Sequence, residues 1–478
     1  MCNRAPYGQA ADGRLRRGAG GVVTALTALA ERLGADWVAC ARTPAEREAA
    51  AKGGKRLQLP HSRGSLHYAV PTEAEQRMHY SYVSNPVLWY TQHYLWDLGR
   101  DPRFDAAFKS AWRRGYVAVN RKMANVTAAL VSGDSRPPWI LSHDYQLYLF
   151  PALLKRLAPH AIVHHFTHIP WPTPQYWKVL PKEVRDGIVD GLLAADLLGF
   201  QSQLDVRNFL LTCEENRGLG VDFGNSEVLL GRRRVRVRAY PISIDVGGIQ
   251  RLAESAAVKQ EERRIAEWRP NKLIVRVDRT DPTKNIVRGF LAYEKLLQSF
   301  PRLRGKVQFW AFLQPSRQEV PRYRSFLHSI RSTANRINHD LGNDGWQPIR
   351  LELGESMRRA VAAYKTFDVL LVNSIFDGMN LVAKEGMVVN RRNGVLVLSE
   401  NTGAHAELGS AGISINPFEI DMTAHALHEA LKLPAKERRR RADAARRIVR
   451  ENDLNRWIDQ QLHDLEELSP PLARRLAG

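Results

Sequence analysis

Arg279 and Lys284 stand five residues apart in the run Val277-Asp278-Arg279-Thr280-Asp281-Pro282-Thr283-Lys284-Asn285. An apolar stretch ends at Val277, and Asp281-Pro282 turns the chain. Both cations are therefore expected on a loop at the C-terminal end of a strand. Such a pair suits a diphosphate, because Arg grips oxygens with a planar fork and Lys adds a compact charge. A surface Arg and Lys beside a turn are common, so the pair needs support from elsewhere. The run Phe376-Asp377-Gly378-Met379-Asn380-Leu381-Val382-Ala383-Lys384-Glu385 offers it. Gly378 permits a tight turn that brings backbone amides near a ligand. The helix expected after Asn380 turns its N-terminus toward anions. Asp377 and Glu385 are acceptors suited to sugar or ribose hydroxyls. A plain strand-turn-helix link would leave the same trace.

Three further loops carry chemistry-bearing residues. His168-Ile169-Pro170-Trp171-Pro172-Thr173-Pro174 follows a strand, and its prolines stiffen a wall that holds His168. Asp144, in His143-Asp144-Tyr145-Gln146-Leu147, could orient an acceptor hydroxyl or simply cap a helix. The glycines of Arg16-Arg17-Gly18-Ala19-Gly20-Gly21-Val22 open a helix and offer amides to phosphate, without the spacing of a nicotinamide site. His164 and His165 lie near His168, but successive strand residues face opposite ways, so no metal site is expected.

The elements that must position these loops alternate along the chain. Strands are expected at Asp36-Cys40, Trp139-His143, Ala161-Thr167 and Leu197-Gln201, then at Leu273-Val277, Val307-Leu313, Val369-Asn373, Val395-Ser399 and Ile413-Asn416. Amphipathic stretches such as Ile286-Phe300 and Met422-Leu433 lie between them. Strands separated by helices imply parallel sheets with crossover connections. The fold class is α/β with two doubly wound domains. They are expected to join near Tyr240-Asp245, before one charged helix at about Gln250-Trp268, and strand C-termini would line a cleft.

Length and composition agree with this. The chain has 478 residues, enough for two or three domains of ordinary size. No apolar run reaches the roughly 20 residues that span a bilayer, and Met1-Cys2-Asn3-Arg4 does not begin a signal peptide. Cys2, Cys40 and Cys213 are scattered and odd in number, which gives neither a disulfide framework nor zinc spacing. A cytoplasmic enzyme is the simplest expectation. The net charge of +20 suits a polyanionic partner: nucleic acid, acidic lipid or a phosphorylated small molecule. The basic runs Arg232-Arg238 and Lys436-Arg441 read as solvated faces, and no nucleic-acid-binding signature accompanies them.

Taken together the motifs resemble glycosyltransferase family 20, the family of the trehalose-phosphate synthases. The match runs through N-R-A-P at Asn3-Pro6, A-G-G at Ala19-Gly21, S-N-x-V-L-W at Ser84-Trp89 and H-D-Y-x-L at His143-Leu147. It continues through H-I-P-x-P-T-P at His168-Pro174, L-L-G-F-Q at Leu197-Gln201 and F-L-A-Y-E at Phe290-Glu294. It closes with D-G-M-N-L-V-A-K-E at Asp377-Glu385 and V-L-V-L-S at Val395-Ser399. The resemblance implies a GT-B fold of two Rossmann-like domains with the active site between them. It implies domains 1-241 and 242-450, with a C-terminal helix, 451-478, crossing back to the first. The implied reaction is retaining and metal-independent transfer of glucose from UDP-, GDP- or ADP-glucose to glucose 6-phosphate, giving α,α-trehalose 6-phosphate. The nucleotide sugar is a substrate, and no cofactor is implied.

By the match, Arg279 and Lys284 would stabilise the leaving diphosphate, and Gly21 would approach the donor phosphate. His168 and Asp377 would contact the transferred hexose, and Glu385 the ribose. Gly378, Met379, Asn380, Leu381 and Val382 would complete the donor site. Arg4, Tyr80, Trp89, Asp144 and Arg317 would hold the acceptor. The sequence departs from the family at Cys40, where a Trp lines the acceptor pocket in many members, and at Phe376, where Arg is frequent. The loop R-T-D-P-T-K-N replaces R-L-D-Y-x-K-G. These departures resemble a bacterial branch that also holds pseudo-glycosyltransferases of the validoxylamine phosphate synthase kind. Cyclitol or glycerol phosphate acceptors, as in glucosylglycerol-phosphate synthesis, are therefore the alternative. A non-catalytic regulatory or nucleic-acid-binding protein is the alternative of another class. Only three residues precede Arg4, so either the first strand is short or the start lies upstream of Met1. Oligomeric state is left open, with a homo-oligomer among the options.

Overall fold

A computed structural model describes residues 1–9, 15–17, 21–51, 57–59, 63–134 and 136–469. The chain divides into two units. Met1–Pro241 and the chain from Trp457 onward form unit 1, and Ile242–Arg456 form unit 2.

Unit 2 is built on a six-stranded sheet in which every pairing is parallel. Across the sheet its strands run Ile349–Leu353, Val307–Gln314, Lys272–Arg279, Val369–Val372, Val395–Ser399 and Ile413–Ile415. In order of sequence this is 3-2-1-4-5-6, the doubly wound arrangement of dinucleotide-binding folds. Strand order reverses between Lys272–Arg279 and Val369–Val372, and ligands of such folds sit beyond the strand ends at that point. Leu273, Ile274, Val275 and Val369 to Val372 are buried on both sheet faces. That burial is why these strands read as continuous apolar runs rather than alternating ones. Helix Ile286–Ser299 covers one face with Ile286, Phe290, Tyr293 and Leu297.

Unit 1 holds a second six-stranded sheet. Trp139–His143, Ile162–Phe166, Leu197–Phe200 and Arg233–Ala239 pair in parallel. Glu227–Leu230 and Gly220–Asp222 extend it as antiparallel strands. The sequence reading missed this last pair, strands of only 3 and 4 residues that are mostly half-exposed. A three-stranded sheet of Trp37–Cys40, Ser65–Ala69 and Leu57–Gln58 lies in the same unit. The short segment before Arg4 bridges the two sheets. Cys2 N–H donates to Val38 O at 3.2 Å, and His143 N–H donates to Met1 O at 3.0 Å.

One helix differs from expectation. The single helix expected at Gln250-Trp268 is two, Val246–Glu254 and Ala256–Trp268. Ser255 breaks them by taking extended backbone and accepting a hydrogen bond from Val258 N–H. Helix Ala435–Glu451 lies in unit 2, where Ala442, Ala445 and Val449 are buried, and unit 1 resumes at Trp457. The last helix, Leu454–Leu468, is tied into unit 1 by Arg236–Glu467 at 2.7 Å and by Trp139 Nε1–H to Ser469 Oγ at 2.9 Å.

Both basic runs meet acidic partners. Arg234 pairs with Glu227 at 3.1 Å, and Arg440 and Arg441 pair with Glu437 at 2.7 and 2.8 Å. Among the described residues no helix is long and apolar enough to cross a membrane.

Candidate active site

The loops after the two switch-point strands meet. Lys284 Nζ donates to Asp377 Oδ2, and the side chains are only 13% and 15% exposed. Shielding of that degree strengthens the pair while leaving it open to a ligand. Asp377 also accepts from Asn380 Nδ2 at 3.1 Å and from Ser374 Oγ at 3.2 Å. Arg279 is the last residue of its strand and is half-buried, so it stands at the strand's C-terminal end and not on the loop that the sequence suggested.

Local chemistry fixes this loop. Asp281 Oδ1 accepts from Thr283 N–H at 3.1 Å and Thr283 Oγ1 at 3.0 Å, which closes one tight turn at Pro282–Lys284. Asn285 then takes φ of 57°, a left-handed conformation that Asn tolerates better than most non-glycine residues. Its Nδ2 donates to Asn373 O at 3.0 Å and Pro417 O at 2.8 Å, bonds that a glycine could not make.

Two residues that sequence reasoning missed support the lysine from behind. Arg276 is fully buried, pairs with Asp278 at 2.7 Å and donates to Lys284 O at 2.7 Å. Burial, opposed by Arg276, raises the Asp278 carboxyl. A charged pair two residues apart at the end of an apolar strand is the only signal the sequence carries.

Asp377 leads into Gly378, Met379 and Asn380, all buried or nearly so, and then into helix Leu381–Val389, whose first turn holds Leu381 and Val382. Asn380 has φ of 80° and turns its side chain to Asp377 rather than capping the helix amides. The close approach that demands a glycine lies opposite Gly378. A Cβ at Gly403 would stand 1.9 Å from Gly378 O. Glu385, half-buried on the same helix, accepts from Tyr364 Oη at 3.2 Å, and burial raises its carboxyl to about 7. Lys384 is structural: its Nζ meets Glu407 at 2.5 Å and Ile242 O at 2.9 Å.

Arg317 belongs to a different unit from Arg4, Tyr80, Trp89 and Asp144. It lies in unit 2, buried, with Nη1 3.1 Å from Asp281 Oδ2 and hydrogen-bonded to Tyr323 Oη. Its partner Asp281 belongs to the same turn that places Lys284.

In unit 1 the remaining residues gather around two strand ends. Arg4 Nη2 donates to Tyr80 Oη at 3.1 Å. Tyr80 stands in a π-helix, Arg77–Leu88, whose wide turns are held by Ser84 Oγ to His79 O at 2.7 Å and Asn85 Nδ2 to Tyr80 O at 2.9 Å. Trp89 follows it, buried, with its ring centroid 4.1 Å from that of His93 and 5.6 Å from that of Tyr145. Asp144 has φ of 78°, a strained conformation of the kind that clusters at active sites. Its Oδ1 accepts from His168 N–H at 3.3 Å. His168 and Asp144 are thus neighbours.

The His168 ring nitrogen Nε2 lies 3.4 Å from His143 Nδ1, and its ring packs on Phe166 at 4.5 Å. Burial, with His164 adding to it, lowers His168 to about 3, so it acts as a neutral hydrogen-bonding ring. His165 faces Ser142 Oγ at 2.8 Å. No group of His, Cys, Asp and Glu among the described residues could hold a metal ion. Cys40 is fully buried, and burial raises its thiol to about 12. Gly21 opens helix Gly21–Leu33, and residues 18–20 before it, with Ala19 and Gly20 of the glycine cluster, lie outside the described residues.

Two Rossmann-like units, one with paired charges at its switch point, are what the comparisons with known proteins also find. The description of Glycosyltransferase family 20 matches residues 4–467. A trehalose-6-phosphate synthase of Klebsiella pneumoniae is 34% identical over 414 residues, covering 86% of this chain and 84% of that protein. A bifunctional trehalose-6-phosphate synthase/phosphatase of Thermoproteus tenax is 34% identical over 97% of this chain, which spans 63% of its length. Among solved structures, the E. coli enzyme bound with UDP-2-fluoro glucose superposes with a TM-score of 0.84 at 29% identity, covering 96% of this chain and 98% of that one. A UDP-forming synthase of Burkholderia xenovorans in complex with glucose-6-phosphate gives 0.82 at 28%, covering 94% and 97%. The chain belongs to glycosyltransferase family 20. Its fold is GT-B, as in those structures.

Proposed function

We propose that the chain transfers glucose from a nucleoside diphosphate glucose, UDP-glucose first among them, to glucose 6-phosphate. The products are α,α-trehalose 6-phosphate and the nucleoside diphosphate, and the setting is the cytoplasm. The observation that carries the reading is the Lys284–Asp377 pair at the switch point of unit 2. An arriving diphosphate gives Lys284 a second anion, and Asp377 becomes available to accept from the sugar's hydroxyls. The relatives bound with a UDP-glucose analogue and with glucose-6-phosphate support this choice of substrates.

In the reaction the bond between glucosyl C1 and the diphosphate oxygen breaks. Arg279 and Lys284 stabilise the charge that develops on the leaving group, in the role a metal ion plays elsewhere. The acceptor's anomeric oxygen bonds to C1 on the face the diphosphate leaves, so configuration is retained. The acceptor's proton passes to an oxygen of the departing diphosphate. His168, neutral, orients the hexose, Asp144 orients the acceptor hydroxyl, and Glu385 accepts from the ribose. Positioning and fixed charge do the catalytic work.

Incubation with UDP-, GDP- and ADP-glucose against glucose 6-phosphate, read by NMR of the anomeric protons, tests the proposal. The expected product is α,α-trehalose 6-phosphate, fastest with UDP-glucose. Absence of that product with all three donors overturns it. Because Cys40 turns no side chain to the surface, cyclitol and glycerol phosphates belong in the same panel. Activity with those acceptors alone would establish the second reading.

A further inference from the structure

Arg4 is not the only guanidinium on Tyr80. Arg42 lies with its guanidinium carbon 4.6 Å from the centre of the Tyr80 ring, while Arg4 Nη2 reaches the same residue's hydroxyl at 3.1 Å. The two arginines come from different segments. Arg4 follows the bridging residues Met1 to Asn3, and Arg42 lies just beyond the C-terminal end of strand Trp37–Cys40.

The backbone at Arg42 is held rigidly. Thr43 and Glu46 form a capping box at the start of helix Pro44–Ala51. Glu46 N–H donates to Thr43 Oγ1 at 3.2 Å, and Glu46 Oε2 accepts from Thr43 N–H at 2.9 Å and from Arg42 N–H at 2.7 Å. The buried carboxylate nearest in sequence is thus turned to two backbone amides. Among the described residues no carboxylate lies within ion-pair distance of the Arg42 guanidinium. A half-buried guanidinium stacked on a ring keeps its in-plane N–H donors for another ligand.

We propose that Arg42 is a second ligand of the acceptor's phosphate, closing with Arg4 a two-guanidinium clamp around Tyr80. The inference rests on the acceptor half of the reading above and adds a residue to it. A dianionic phosphate monoester matches two forked donors, each able to take two oxygens. The clamp makes the phosphate, more than the sugar ring, the feature by which the acceptor is selected.

The test uses the full chain with UDP at saturation, so that the donor half is filled. Calorimetry measures inorganic phosphate binding to wild type, R4A and R42M, since Met keeps an apolar stem against Tyr80. Loss of one charged hydrogen-bonding partner should weaken phosphate about tenfold or more in R42M. The KM for glucose 6-phosphate should rise in step, while the KM for UDP-glucose and its acceptor-independent hydrolysis stay unchanged. Wild-type phosphate affinity in R42M, or no phosphate binding by wild type, overturns the proposal. If R42M fails to fold, R42Q is read by the same two measurements. Arg42-dependent phosphate binding without transfer to any sugar phosphate sinks the proposed function and leaves the clamp standing. Transfer to glucose 6-phosphate that is indifferent to R42M does the reverse.

Discussion

Lys284 and Asp377 lie 93 positions apart in sequence, yet their side chains form an ion pair at the ends of adjacent strands. The lysine's charge is held in place by a carboxylate that is itself fixed by Asn380 and Ser374. In the reaction proposed above, an arriving diphosphate changes the company of a preplaced cation and does not recruit a mobile one.

Lys284→Ala should abolish useful transfer while the fold survives. Removing one charge-assisted contact to the leaving group costs about 2–4 kcal/mol of transition-state stabilisation. The expected reading is a fall in kcat of roughly 30-fold to 1,000-fold with little change in acceptor KM. Turnover at the wild-type rate, measured by UDP release, would contradict the assignment.

Glu385 should make the unliganded protein less stable as pH rises. Its carboxyl titrates at about 7 when folded, above its value in an unfolded chain. The folded state therefore binds the proton more tightly, and stability falls as pH rises from about 4.5 to 7. Thermal melting across that range should show a decline that Glu385→Gln removes, worth about 1–3 kcal/mol. An unchanged pH profile in the variant would contradict it.

Acid should act in the opposite sense through the histidines. Burial comes first in lowering His79, His143, His164, His165 and His168 below the ordinary value. An unfolded chain takes up protons at these rings near pH 6.5 while the folded one does not, so stability is lost as pH drops below that value. Acid unfolding should take up about five protons more than carboxylates account for. The ring C–H resonances of His168 should not titrate between pH 5 and 8.

Asn285→Ala should destabilise unit 2 and weaken donor binding together. A left-handed backbone costs a Cβ-bearing residue about 1–2 kcal/mol without a local hydrogen bond, and two buried acceptors, Asn373 O and Pro417 O, lose their donor. Asn285→Gly relieves the first cost and not the second. Denaturant melts should therefore rank wild type above Gly and Gly above Ala, with the KM for the donor rising in the same order. Equal stability of Gly and Ala would refute the backbone argument.

The parallel sheets were legible because both faces of each strand are buried, which leaves short unbroken apolar runs such as Val369–Val372 and Val395–Ser399. The loops that follow were legible because turn residues and charges stand together at strand ends. What escaped reading depends on contacts between distant segments. Arg276 looks like a polar interruption until Lys284 O and Asp278 are seen around it. The π-helix carrying Tyr80 needs Ser84 and Asn85 to bond carbonyls five residues back, a choice no hydrophobic period records. Arg317 was assigned by likeness alone, and its pairing with Asp281 could not be inferred from spacing.

The return of the chain to unit 1 at Trp457 has a consequence for biogenesis. Trp457 packs against Phe166 at 5.5 Å and stands 6.4 Å from the His168 ring, and Asp459 pairs with Arg32, 427 positions away. On a growing polypeptide unit 2 has all its residues before unit 1 does. The loop that carries His168 stays without its indole neighbour until the final helix has left the ribosome. A nascent or prematurely terminated product can thus fold unit 2 and still lack the indole beside Phe166 and His168.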